Sequence, residues 1–190
     1  MMLPSSTPIP ADHPSLRELV DQLGCEGVPV TVTHSSAQLP PSQCYRNVDD
    51  RVRRFGGKMK VGWMLRMWPG IYLCAEHHAV WQRPEGKLVD VTKPGGSIVG
   101  RAFTTFLEDD RIRVDPTRPP NIRSQYLALS ESVDTAEFIA RYNEFHASTD
   151  RLIVATVSGD HSAIAILVQE RAAAQQRMFQ ARDRLAGKAR

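Results

Sequence analysis

Between Gly56 and Thr92 the chain is cut into three β-prone runs, 58–68, 71–82 and 87–92, by two strong turn signals, Pro69-Gly70 and Pro84-Glu85-Gly86. Turns this short leave little choice of pairing. A parallel return needs a crossover of about a dozen residues or more, so neighbouring runs are expected to pair as an antiparallel meander. With the second turn centred near Pro84 or Glu85, His78 and Asp90 lie opposite or diagonal to each other. Both are even-numbered positions on one face, whereas alternation sends His77 to the other.

Ahead of this block, Pro40-Pro41-Ser42 ends the preceding segment and offers Ser42 as a helix N-cap. Tyr45, Val48, Val52 and Phe55 then recur at helical spacing, up to a stop at Gly56-Gly57. Cys44 falls in the first turn of that helix. Free N–H groups and a partial positive charge gather there and favour a thiolate, and Arg46, Arg51, Arg53 and Arg54 add positive charge nearby.

The flanks are read by the same periodicities. Residues 1–12, rich in Pro and Ser, are expected to be a flexible N-terminus. Leu16, Leu19, Val20 and Leu23 before Gly24 predict a first short helix. Val28, Val30 and Val32 alternate as in a strand, with Pro29 placing it at an edge. A further short strand is expected over 102–107, followed by a proline-rich connection, 115–120, suited to lie over the site. Asp134 with Glu137, and Val133 with Phe138, have the spacing of a capping box and a hydrophobic staple. The run 151–157 fits strand or helix. From 160 to 185, Leu167, Ala174, Met178, Ala181 and Leu185 predict a long C-terminal helix, whose stripe packs on its own domain or forms a homodimer. The class is α+β, with helices on an antiparallel β-sheet: a flexible 1–12, a main domain over 13–157 that carries Cys44, His78 and Asp90, and a C-terminal helix over 158–190.

A net charge of +3 over 190 residues gives no electrostatic reason to expect nucleic acid or an anionic membrane as partner. No run of about eighteen apolar residues and no signal-peptide pattern occurs, so a cytoplasmic location is expected, with export lacking a cleavable signal as the other route. Cys25, Cys44 and Cys74 are odd in number and form no CxxC pair, which argues against a disulfide framework or a zinc ribbon.

One helix-initial thiol, one histidine and one aspartate on an adjacent strand are the parts of a cysteine nucleophile, its base and its orienter: Cys44, His78 and Asp90. Taken one at a time, each has a plainer reading as a small core residue, a hydrogen-bonded polar residue and a turn cap. The order Cys, then His78-Ala79-Val80-Trp81, then Asp90-Val91-Thr92 resembles the transglutaminase-like branch of the papain-like cysteine protease superfamily, where the corresponding motifs commonly read HAW and DPT. Together with the Gly-Gly and Gly-Trp pairs at Gly56, Gly57, Gly62 and Trp63, the block also resembles small uncharacterised bacterial proteins, some of which carry a SEC-C zinc motif that this chain lacks. The resemblance covers about a third of the chain. Ser42-Gln43-Cys44 stands where that branch often has GxC.

The resemblance implies a papain-like fold and a hydrolase or acyltransferase working through a thioester, as protease, deamidase or transglutaminase, on a protein, peptide or small amide. No cofactor is expected, and no ligand spacing in the chain demands a metal. Gln38, six residues before Cys44, stands where papain-like proteases carry an oxyanion glutamine, and Gln43 is the other side-chain candidate beside the Cys44 N–H. Trp63 and Trp81 are candidate cleft walls. Glu76 is placed to anchor an Arg or His. The other readings are a catalytically inactive binding module of the same fold and a metal site formed by Cys44, Cys74 and His78.

Overall fold

The computed structural model describes residues 7–94, 102–115 and 121–188. The chain divides into two compact units, Met1–Leu129 and Ser130–Arg190. The break falls before the first long helix rather than after residue 157, because 151–157 is helical and continues that element.

The first unit contains β1 (Thr7–Pro8), α1 (Leu16–Gln22), β2 (Val30–Leu39), α2 (Cys44–Phe55), β3 (Lys58–Trp68), β4 (Tyr72–Gln82), β5 (Leu88–Thr92), β6 (Phe103–Glu108) and β7 (Gln125–Ala128). The meander forms as expected. β3 pairs with β4 along its whole length, and β4 pairs with β5 at Trp81↔Val89 and Gln82↔Leu88. It does not remain an open antiparallel sheet. β5 also pairs in parallel with β2, β2 with β6, and β6 with β3, so the order β3-β6-β2-β5-β4 closes on itself through the β3–β4 hairpin into a barrel. β2 is therefore an interior strand and not an edge. Pro29 permits this because it precedes the first paired residue, Val30, and withholds no ladder donor.

Even-numbered side chains fill the barrel, where Val32, Val80 and Phe106 pack with Leu88. Odd-numbered ones face the helices outside. Leu65, Leu73, Ala75 and Leu107 pack with Leu16, Leu19 and Val20 of α1, while Ala79, Trp81, Val89 and Val91 pack with Tyr45 and Val48 of α2. Removing side chains such as Leu19 and Val48 from water contributes about 1.5–3 kcal/mol each. Ile9 joins the first of these clusters and Thr7–Pro8 pairs with β3, so residues 7–9 are part of the fold. A flexible terminus is thus corrected for them: Ile9 is an apolar side chain set among Pro, Ser and Thr, and it finds a core.

Two glycines of the Gly-Gly and Gly-Trp pairs have steric reasons. A Cβ on Gly57, at φ +85°, would lie 2.2 Å from the Gln82 carbonyl oxygen, and one on Gly62 would lie 2.1 Å from that of Leu107. Both mark where another strand passes too close for any side chain. Trp63 next to Gly62 is a core residue whose Nε1 donates to Asp109 Oδ2 at 3.0 Å.

The second unit is a pair of helices, α3 (Val133–Ser158) and α4 (His161–Lys188), joined at Gly159, whose φ of +72° makes the left-handed turn. Arg151–Glu170, Arg177–Glu144 and Arg184–Glu137 ion pairs cross between them and fix an antiparallel arrangement. Ala174, Ala181 and Leu185 of the expected stripe are buried. Asp134 is not the N-cap: α3 begins two residues earlier than the expected box implies, with Ser132 as N-cap and no side-chain cap bond from it, and Val133 is exposed instead of stapled. No helix among the described residues is long and apolar enough to cross a membrane. Of the expected strap over 115–120, residues 116–120 lie outside the described residues.

Candidate active site

β4 lacks a partner along part of one edge. On the side away from β3 it pairs with β7 from Tyr72 to Ala75 and with β5 only at Trp81 and Gln82; among the described residues, 76–80 have no strand partner there. A cleft of about 520 Å³ lies at this gap, lined by Glu76, His77 and His78 of β4, by Asp90 and Thr92 of β5, and by Ser42, Gln43 and Cys44 at the start of α2. Cys44, His78 and Asp90, which stand on three different elements of the chain, are thus brought to one cavity.

The start of α2 is fixed by contacts that the sequence reading missed. Asn47 in its first turn donates through Nδ2 to the Pro40 carbonyl at 2.7 Å and to Thr92 Oγ1 at 3.0 Å, tying the helix N-terminus to β5 two residues beyond Asp90. Gln43 is the N-cap residue, in place of Ser42, whose φ of 60° takes the turn that leads into the helix. Cys44 is therefore the first helical residue, partly exposed to the cleft.

His78 Nε2 lies 3.0 Å from Asp90 Oδ2, and both side chains are buried inside the barrel. The register makes the pair diagonal: Trp81 faces Val89, so Asp90 stands opposite Val80, two residues from His78 on the same face. Burial opposes a charge on His78, but the charge of and hydrogen bond to Asp90, with Cys44 adding its own, outweigh it and push its pKa up to about 10. Burial likewise opposes the Asp90 carboxylate, and His78, the Thr92 N–H and the Thr104 hydroxyl overcome it, leaving its pKa below the usual value. The pair is an imidazolium and a carboxylate at neutral pH. With Nε2 committed to Asp90, Nδ1 is the ring nitrogen left for the thiol.

Asp90 is held by more than the histidine. Thr104 Oγ1 on β6 donates to Oδ2 at 2.9 Å, and the Thr92 N–H donates to Oδ1 at 3.0 Å. Since the Thr104 proton goes to Asp90, its oxygen accepts from His34 Nε2 at 2.8 Å. His34 on β2 stands beside Asp90 in the parallel ladder, with its buried Nδ1 making no hydrogen bond to the described residues. Neither residue had a sequence signal, since their proximity depends on the β2–β5 and β2–β6 pairings that close the barrel.

The remaining sequence-derived candidates separate. Gln43 lines the cleft. Gln38 does not: it sits near the end of β2 with its side chain in solvent, because β2 stays extended to Leu39. Trp63 and Trp81 are buried on the outer face, the latter donating Nε1 to the Gly56 carbonyl at 2.9 Å, and neither walls the cleft. His77 does turn to the other face, where Tyr45 hydrogen-bonds its Nδ1 and Trp63 meets it edge-on. It nevertheless reaches the cleft wall, contrary to expectation, because the unpaired stretch of β4 exposes both parities. Burial lowers its pKa to about 4, so it is neutral where His78 is charged. Burial, with the Cys44 charge second, raises the Tyr45 hydroxyl above the usual phenol value. Glu76 anchors Arg66 at 3.3 Å, as its position suggested. Cys74 is buried away from the cleft, and no group of three or more His, Cys, Asp or Glu among the described residues is arranged to hold a metal ion.

No protein-family model, curated protein or solved structure matches this chain.

Proposed function

We propose that this protein is a cysteine-dependent amide or acyl hydrolase or transferase of transglutaminase-like kind, with Cys44 as nucleophile, His78 as proton carrier and Asp90 as orienter. The observation that carries the reading is the buried His78–Asp90 hydrogen bond, positioned beside a helix-initial cysteine in an open cleft. An imidazolium next to a thiol is the arrangement from which a thiolate nucleophile acts.

Cys44 Sγ attacks the substrate carbonyl while its proton rests on His78 Nδ1. The tetrahedral oxyanion is met by the Cys44 N–H at the helix start, with the Gln43 side chain as the second donor. Collapse passes the His78 proton to the departing amine and leaves a thioester. Water, or an amine in the transferase version, then attacks the thioester, giving its proton to His78, and the thiol is regenerated. Asp90 holds the imidazole through Nε2 throughout and balances its charge. Hydrolysis is the preferred outcome, since the cleft opens to water.

The test is thiol-selective labelling of the full chain with iodoacetamide across a pH series. The proposal expects Cys44 to react well ahead of Cys25 and Cys74, and Cys44→Ala to abolish turnover of any substrate found. Equal, slow labelling of all three thiols would overturn it.

A further inference from the structure

Among the described residues, the cleft beside Cys44 is lined by three cations that take no part in the triad, Arg46, Arg66 and Lys93, against one acid outside it, Glu76. Asp90 adds nothing to this balance, because His78, Thr104 and Thr92 occupy its carboxylate. A concave wall with a net excess of one sign concentrates solutes of the other.

Arg66 differs from its two companions. Its side chain is only 15% exposed, and Glu76 Oε2 receives a single hydrogen bond from Nη1 at 3.3 Å. A guanidinium has five donors in a planar fork, so one such bond orients it and leaves donors for a second acceptor. Arg66 faces Cys74 across the hairpin, and Glu76 lies between Cys74 and His78 on the same inner face. At a rise of about 3.4 Å per residue, a guanidinium held at the level of Glu76 lies roughly 7 Å along the strand from His78. Arg46 and Lys93 approach from the other wall, in the first turn of α2 and just after β5.

We infer that the substrate of this site carries a carboxylate gripped by Arg66, whose guanidinium is held roughly 7 Å along β4 from His78, with Arg46 and Lys93 adding to the field. The substrate class is a peptide or amide with an acidic side chain or a free terminal carboxylate near the reacting carbonyl. Glu76 serves to hold the fork in place. The inference rests on Cys44 being the nucleophile proposed above.

Two matched electrophiles test it on the full chain: N-iodoacetyl-β-alanine, whose carboxylate stands several bonds from the alkylating carbon, and its neutral carboxamide. Cys44 alkylation is followed by mass spectrometry, with N-acetylcysteinamide as a neutral reference thiol. The acid-to-amide rate ratio at Cys44 is expected about tenfold above the reference ratio at low salt, and to shrink at high salt. It should fall toward the reference in Arg66→Gln, and in the double variant Arg46→Gln/Lys93→Gln, whose sites are exposed and whose folding is not at issue. Rapid Cys44 labelling with no charge preference overturns the inference and leaves the thiol chemistry standing. If Cys44 reacts slowly with both probes, the thiol chemistry fails, and the anion site is judged by N-acetyl-β-alanine against its carboxamide, titrated into Cys44→Ala protein by NMR. Tighter binding of the acid then supports the anion site, and equal or absent binding overturns it.

Discussion

Asp90 accepts the Thr104 hydroxyl and the His78 imidazole on the same oxygen, Oδ2, at 2.9 and 3.0 Å. Strands that are not neighbours in the barrel meet at that atom: β6 brings the threonine and β4 the histidine, with β2 and β5 between them in the sheet order. The carboxylate is therefore fixed in rotation, and through it the imidazole.

Asp90→Asn keeps the volume and removes the charge. Cys44 reactivity and any turnover should fall about 10³–10⁴-fold, as when an orienting carboxylate is lost from a triad. Breaking a buried pair by removing one charge should also cost about 3–5 kcal/mol in urea unfolding. A variant with unaltered Cys44 reactivity would remove Asp90 from the mechanism.

Thr104→Val removes one donor from Asp90 and leaves His34 Nε2 without its acceptor. The expected loss is about 1–3 kcal/mol in stability, the cost of an unsatisfied buried polar group. Thr104→Ser should recover most of it. The informative readout is the pH profile of Cys44 alkylation. A shift in Thr104→Val that is reversed in Thr104→Ser marks a positioning residue, whereas a stability loss with an unmoved profile marks a purely structural one.

Stability should respond to pH at both ends, with opposite histidines responsible. His78 carries a proton in the folded chain up to about 10 and in the unfolded chain up to about 6.5, so the stability it contributes is complete below 6.5 and is lost as pH rises toward 10. Asp90, lowered by the same contact, contributes above its ordinary value of 3.8 and loses that contribution as acid protonates the folded carboxylate. His77 behaves the other way from His78. Its folded pKa of about 4 lies below the ordinary 6.5, so the unfolded chain binds the proton first and stability declines as pH falls from 6.5 to 4. Urea midpoints across pH should flatten on the alkaline limb in His78→Gln and on the acid limb in His77→Gln.

Gly62→Ala places a methyl 2.1 Å from the Leu107 carbonyl, where β6 backbone has to move. A loss of more than about 3 kcal/mol in thermal or urea unfolding is expected, at the severe end for a single substitution. Gly70→Ala is the control: nothing lies within 4 Å of the added carbon, and only the φ of +72° opposes it.

Local pattern made the hairpins, the cysteine helix and the diagonal pairing of His78 with Asp90 legible, because each depends on turns and periodicities within a few dozen residues. The closed barrel was not legible. It depends on β2 pairing in parallel with β5 and antiparallel with β6, contacts between segments far apart in sequence that no alternation announces. The misreadings follow from that one gap. Pro29 suggests an edge strand because proline withholds a ladder donor, and nothing local shows that pairing starts one residue later; the spacing of Gln38 from Cys44 says nothing of the strand that turns it to solvent, and His34 and Thr104 carry no local signal. His77 alternates as the pattern says, and its reach to the cleft wall goes with the gap in the pairing of β4 at 76–80 among the described residues, which no local pattern announces.

The double pairing of β5 has an engineering consequence. Its register is held by β4 at Trp81 and Gln82 and again by β2, where His34 stands beside Asp90. The exposed turn over 83–87 is thus spared the task of measuring the distance between His78 and Asp90. A peptide tag or a reporter loop spliced in at Glu85 should leave that pair where it is, so the turn that joins the two strands carrying the pair is also a convenient attachment point for reporting on it.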